Sequence, residues 1–267
     1  LALQSALILR KVGHVVYFAG GAIRDQLLGQ TPKDYDLATS ARPDEVQALF
    51  PRSDAVGKHF GVIIVKGAGE MIEVATFRTD GTYKDGRHPE SIEFSSPEKD
   101  AQRRDFTING LFQDPLTEKV IDHVGGRADL AAKLLRAIGN PKERFEEDAL
   151  RLLRAIRFST TTGFKIESQT WKAIQECAPL LSQISPERIR DEFSRILVAP
   201  ERARGLDLLV LVRFCDLHLL RQCRSGAAVR STDLDRHRRR RCRRRARYGN
   251  DYAGRVGARE NRDGRYG

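Results

Sequence analysis

The sequence predicts an α+β protein: a mixed-sheet head, then an all-helical segment, then a disordered tail. Three observations carry this. Strand-like runs crowd the first hundred residues. From about Asp100 onward helical periods dominate, and strands followed by helices is the order of an α/β or α+β head joined to a helical segment. After about Leu220 hydrophobic periodicity stops. At 267 residues the chain has room for two domains. The boundaries read as a head over 1–138, a helical segment over 139–220 and a tail over 221–267.

Residues 14–19, HVVYFA, read as a short buried strand. Gly20-Gly21 follow, and Ala22–Leu28 read as a helix ended by Gly29. Thr31-Pro32-Lys33 make a turn, and residues 34–39 read as a second strand. Pro43 opens a helix to residue 50. Gly61–Val65 and Met71–Phe77 read as paired strands around a glycine turn. Residues 79–91 are polar, with Gly81, Gly86 and Pro89, and read as an exposed loop; residues 92–94 return to strand. Residues 142–158 and 167–181 read as long amphipathic helices, and Ser185-Pro186-Glu187 opens another to about Leu197.

Apolar content of 40% supports a core, and charged content of 31% excludes a membrane bundle. No run approaches the ~20 apolar residues that span a bilayer. A cleavable signal pattern is absent from the N-terminal residues, and a start at Leu rather than Met leads us to expect a few missing residues. The net charge of +11 lies wholly in residues 221–267, which hold 16 Arg, no Lys and 5 acids. Bulk charge is therefore no argument for nucleic-acid binding by the remainder. The tail reads either as an Arg-rich RNA-binding arm or, from its abrupt loss of Lys, as frameshifted coding sequence. Cys177, Cys215, Cys223 and Cys242 form no CxxC pair; Cys215 and His218 have ligand-like spacing but complete no standard zinc pattern. This suits a reduced, cytoplasmic protein.

Three local patterns carry chemistry. Gly20-Gly21 close a strand and open a helix, so backbone N–H groups and the helix dipole converge where a phosphate would sit, with Arg24 one turn in. The alternative is an ordinary tight strand–helix turn. Asp34 and Asp36 alternate along a strand, which puts both carboxylates on one face. Their repulsion is best offset by a divalent cation such as Mg²⁺, which takes carboxylate and phosphate oxygens. Glu73 interrupts an otherwise apolar strand and is the candidate third carboxylate, needing a partner or a metal.

GG-x-x-RD, DYD, RRDFTING and EEDALRLLRAIRF, in this order, resemble the class II tRNA nucleotidyltransferase and poly(A) polymerase family, which includes CCA-adding enzymes. SPERIRDEFSRIL adds a further match, and the resemblance runs from about Val12 to Leu197. It implies a polymerase-beta-like nucleotidyltransferase head with a mixed sheet, followed by helical neck, body and tail domains. Here the body and tail would be lost by truncation or frameshift. It implies untemplated addition of CMP and AMP, from CTP and ATP, to the 3′ end of tRNA or another RNA. By the same resemblance Gly20, Gly21, Arg24 and Arg104 contact the nucleotide, and Asp34 and Asp36 bind two Mg²⁺ ions. Asp148, Arg151, Arg154 and Arg157 complete the nucleotide site, and Glu73 matches a third carboxylate of poly(A)-polymerase-type members.

The residues of the last nucleotide motif can be read physically. Ala149, Leu152, Leu153 and Ile156 form one apolar helical stripe, with the charged residues on the remaining surface. Cytosine and adenine both show an exocyclic amine beside an acceptor nitrogen. A carboxylate and a guanidinium match that pair and mismatch uracil and guanine. A solvated face with local ion pairs is the alternative. Arg103-Arg104-Asp105 would neutralise triphosphate or join head to neck. The loop Thr82–Glu90 resembles the family's flexible loop, and Arg188, Arg190 and Arg195 would face RNA phosphates or solvent. A poly(A) polymerase, an A-only enzyme and a catalytically weak RNA-binding fragment share these motifs, and the oligomeric state is not legible.

Overall fold

In a computed structural model, residues 1–32, 34–81, 83 and 89–214 are described. The chain opens with α1 (Ala2–Lys11), β1 (Val16–Ala19), α2 (Gly21–Leu27), β2 (Asp36–Thr39) and α3 (Pro43–Leu49). It continues through β3 (Ser53–Gly57), β4 (Val62–Lys66), β5 (Met71–Thr76), the ribbon strands β6 (Arg78–Asp80) and β7 (Ile92–Phe94), and α4 (Pro97–Gln102). Next come β8 (Leu111–Gln113), β9 (Val120–Asp122), α5 (Gly126–Ala131) and the short β10 (Leu134–Leu135). The helical part holds α6 (Pro141–Glu147), α7 (Leu150–Thr162), β11 (Lys165–Ile166), α8 (Ser168–Cys177), α9 (Pro186–Leu197) and α10 (Arg202–Leu211).

Seven strands form one sheet in the order β3-β4-β5-β2-β1-β8-β9. Only β2 and β5 run parallel in it, which makes the sheet mixed. One sheet face carries Leu37, Ile63 and Val74 against Ala6 and Leu9 of α1 and Val46 of α3. The other carries Ala38, Phe77 and Phe112 against Ala101 of α4. The largest core continues from Ile23 of α2 through Phe106 into Leu152, Leu153 and Ile156 of α7 and Ile174 of α8. Each fully buried aliphatic of this kind contributes about 1.5–3 kcal/mol relative to exposure.

The structure departs from the sequence reading in four places. The second strand begins at Asp36, so Asp34 lies just ahead of it. The predicted loop 79–91 starts and ends in paired backbone: Arg78–Asp80 pairs with Ile92–Phe94, and Tyr83 bridges Pro89. Two strands, β8 and β9, lie in a region expected to be helical. Three residues are too short to show an alternating pattern; β8 is recruited by β1, and β9 by β8. The helix expected over 142–158 is two helices. Asp148 is extended, at φ −145° and ψ 102°, and its carboxylate accepts the Leu150 N–H, restarting the helix as a cap would.

All described residues fall in one compact unit, Leu1–Leu217. The expected disordered tail, the Cys215 and His218 pair, Cys223, Cys242 and residues 84–88 of the expected flexible loop lie outside the described residues. Among the described residues no helix is long and apolar enough to cross a membrane.

Candidate active site

A cleft of about 490 Å³ opens between the end of β1, the segment after α4 and the α6–α7 junction. Its floor is the Gly20-Gly21 turn. Gly20 has φ 74° and ψ −131°, a conformation that disfavours any residue with a Cβ. It caps α2, so the first bonds of that helix run from Ile23 and Arg24 N–H to the Gly20 carbonyl. The N–H groups of Gly21 and Ala22 precede them, at the positive end of the helix. Arg24 is fixed beside this turn: its Nη1 donates to Asn109 Oδ1 at 2.6 Å and its Nε to Asp25 at 2.8 Å.

Asp36 lines the same cleft. Parallel pairing of Leu37 with Val74 sets Glu73 one step earlier on β5, beside Asp36. Asp36 still reaches solvent, but surrounding protein thins its hydration, and this pushes its carboxyl up to about 6. The Glu73 charge adds to the rise, Asp34 adds less, and Arg104 opposes it. Glu73 itself is exposed, on the open face that alternates with Ile72 and Val74. The need for a partner or a metal read from the apolar run is eased, because period-two alternation puts Glu73 outside, in solvent. Asp34 lines a separate cleft of about 680 Å³ with Phe18 and Tyr35. Among the described residues no three His, Cys, Asp or Glu side chains converge as a metal-binding group. Asp36 is the hard oxygen donor that faces the phosphate-sized turn, with the Glu73 and Asp34 charges near enough to raise its carboxyl. This donor chemistry fits a divalent cation completed by phosphate oxygens.

Arginines form the opposite wall. Arg104 stacks on Phe112, its guanidinium 4.9 Å from the ring centroid, and a Cβ on Gly20 would stand 3.2 Å from its Nη1. Arg154 donates to Asp105 Oδ2 from Nε at 2.8 Å and Nη2 at 2.5 Å. Burial works against the Asp105 charge. Arg154, Asn109 and the Phe106 N–H outweigh it and hold the carboxyl below the usual range. Arg151, 9% exposed, donates to Glu147 Oε2 at 2.6 Å, to the Arg144 carbonyl at 3.0 Å and to the Arg103 carbonyl at 3.4 Å. Asp148 Oδ2 accepts from Arg188 Nη2 at 2.9 Å.

The cleft therefore collects Gly20, Gly21, Arg24, Asp36, Arg104, Asp148, Arg151 and Arg154. Arg157 is not in its lining. Its guanidinium donates to Glu192 Oε2 at 2.5 Å and lies 4.0 Å from the Phe158 ring centroid, tying α7 to α9. Asp148 and Arg151 face one cleft without pairing, because the helix breaks between them and Glu147 takes the arginine. Arg103 and Asp105, read as neutralising triphosphate or joining head to neck, also line the cleft, as does Arg188, read as facing RNA phosphates or solvent; Asn109 and Phe158 line it too and had no role assigned from the sequence. Arg103, Asp105 and Asn109 sit in the RRDFTING motif, Phe158 closes EEDALRLLRAIRF and Arg188 belongs to SPERIRDEFSRIL, so each lies in a motif without its place in the cleft being legible from it.

A mixed sheet with a glycine turn at a helix start, neighbouring carboxylates and an arginine wall defines a nucleotidyltransferase-type head joined to a helical segment. Residues 16–136 match the family described as Poly A polymerase head domain, and residues 163–218 match the Probable RNA and SrmB- binding site of polymerase A. A CCA-adding enzyme of Geobacillus thermodenitrificans is 46% identical over 202 residues, covering 75% of this chain and 50% of that protein. The crystal structure of the Bacillus stearothermophilus CCA-adding enzyme in complex with CTP superposes with a TM-score of 0.72 at 42% identity, covering 78% of this chain and 50% of that one. A tRNA nucleotidyltransferase complexed with a primer tRNA and an incoming ATP analog gives a TM-score of 0.68 at 27% identity, covering 86% and 65%. The chain belongs to the tRNA nucleotidyltransferase and poly(A) polymerase family. It spans about half the length of the curated relatives it matches.

Proposed function

We propose that this chain transfers nucleotides from CTP and ATP to the 3′ end of tRNA, without a nucleic-acid template, in the cytoplasm. The observation that carries the reading is the single cleft in which the Gly20-Gly21 turn, Asp36 and the Asp148 and Arg151 side chains face one another. Residues 1–138 serve as the catalytic head and 139–220 as a neck that reads the base and approaches the RNA.

Each residue has a chemical task. Gly20 and Gly21 accept the triphosphate at the start of α2, and Arg24 and Arg104 match its charge. Asp148 accepts from the exocyclic amine shared by cytosine and adenine, while Arg151 donates to the adjacent ring nitrogen. Arg154 holds Asp105, whose neighbour Asn109 fixes Arg24. Asp34 and Asp36, with Glu73 beside them, would hold two Mg²⁺ ions, which supply activation of the RNA 3′-hydroxyl and neutralise the pyrophosphate leaving group.

The test incubates the protein with tRNA lacking its 3′ end and each labelled nucleotide, then sequences the product ends. Addition of C, C and A supports the proposal. Addition of A alone, or of an A tract, moves the chain to an A-adding enzyme or a poly(A) polymerase. RNA binding without addition leaves only a binding fragment.

A further inference from the structure

One carboxylate outside the sequence motifs holds both arginines of the RRD triplet. Asp100, in the last turn of α4, is 1% exposed. Its Oδ1 accepts from Arg103 Nε at 2.8 Å, and the Arg103 Nη2 stands 2.7 Å from the same oxygen. Its Oδ2 accepts from Arg104 Nε at 3.2 Å and Nη2 at 3.0 Å. The Arg78 backbone N–H, at the start of β6, also donates to Oδ1 at 3.3 Å.

We propose that Asp100 is a positioning residue of the nucleotide cleft: it aims Arg104, and with it Arg103, at the phosphates of the incoming nucleotide. This rests on the function proposed above. Three features support it. Asp100 grips Arg104 along its Nε–Nη2 edge, which leaves Nη1 as the atom beside the Gly20 turn. The Phe112 ring fixes the plane of the same guanidinium. A guanidinium restrained at one edge and one face surrenders little rotational freedom when phosphate arrives. Charge points the same way. Arg78, Arg103 and Arg104 share Asp80 and Asp100, because Arg78 bonds Asp80 at 2.9 Å and Arg103 lies 3.8 Å from it. Arg103 and Arg104 are thus held by a shared buried carboxylate rather than by one each, and Arg104 also lies within reach of the Asp36 charge. Both arginine partners of Asp100 line the cleft.

The test is a double-mutant cycle on the full chain, with CTP and ATP affinity as the readout. Asp100→Asn keeps the shape and removes the charge. It and Arg104→Ala should each weaken CTP binding by roughly 10- to 100-fold, the scale of a lost charge-assisted contact. The double variant should bind no worse than the weaker single one, since Asp100 acts through Arg104. ATP should lose as much as CTP because the phosphates are common to both. Asp100→Glu should restore part of the affinity. Additive losses, losses that depend on the base, or normal CTP affinity in a folded Asp100→Asn protein would overturn the proposal. If Asp100→Asn does not fold, Asp100→Glu takes its place in the cycle. A wild-type chain that binds no nucleotide removes the function proposed above and this inference together, whereas wild-type binding with an additive cycle removes only the inference.

Discussion

Replacing Asp148 by Asn separates base reading from helix capping. The Asp148 carboxylate has one oxygen on the Leu150 N–H at 3.0 Å and the other on Arg188 at 2.9 Å. A carboxylate offers about four acceptor sites, so capacity remains for an exocyclic amine in the cleft. Asn caps a helix about as well as Asp, so the restart of α7 should survive. Its amide nitrogen, however, donates where the second oxygen accepted. That nitrogen opposes Arg188 and the amine of cytosine or adenine, and it matches the carbonyl of uracil or guanine. The lost contact is a hydrogen bond to a charged group, worth about 1.5–3 kcal/mol. Preference for CTP over UTP should therefore fall roughly 10- to 150-fold at 1.4 kcal/mol per tenfold. Arg151 still opposes the ring N–H of uracil and guanine, so the preference should relax rather than invert. The Arg188 pair is partly exposed, so its loss should cost about 1 kcal/mol or less and lower Tm by only ~2–4 °C. Single-nucleotide addition with each of the four triphosphates measures the ratio directly. Unchanged CTP-to-UTP preference, or an equal slowing of all four, would refute the reasoning and leave Asp148 as a cap alone.

Asp36→Ala should reduce nucleotide addition by several orders of magnitude while circular dichroism stays native, because an exposed carboxylate is lost from the site and not from a core. Arg157→Ala should do the reverse. Glu192, 5% exposed, loses its guanidinium partner, which should destabilise the fold by about 3–5 kcal/mol in urea while leaving base preference unchanged. Acid should also attack the arginine scaffold. Arginine partners hold Asp100 and Asp105 below the ordinary aspartate value of 3.8, so the stability they contribute is complete above that value and is lost as pH falls through their lower folded values. Acid unfolding followed by circular dichroism should therefore become shallower in Asp105→Asn, and an unchanged curve would remove that carboxylate from the stability ledger.

Much of the site was legible because its signals are local. A glycine pair between strand and helix dictates where backbone N–H groups converge, and Gly20 does occupy a left-handed conformation there. Glu73 was less legible: read as a carboxylate needing a partner or a metal, it lies on the exposed face that alternates with buried Ile72 and Val74. The apolar stripe of α7 placed Leu152, Leu153 and Ile156 in the core.

The sequence by itself determined which residue types are offered to phosphate, cation and base in the proposed function, because each pattern lies within a few residues of chain. Tertiary structure decided how the charges are partnered. Periodicity places Arg151, Arg154 and Arg157 on the polar surface of one helix, but their carboxylates are Glu147, Asp105 and Glu192, and the last two lie 49 and 35 residues away. It also decided that Asp148 breaks a helix whose apolar period runs straight through, since a side chain bonding the backbone competes with helix hydrogen bonds that no hydrophobic pattern reports. β8 joined the sheet for the same reason: a strand of three residues is defined by the neighbour that pairs with it, and that neighbour, β1, is about ninety residues earlier in the chain, while β9 is added in turn by β8.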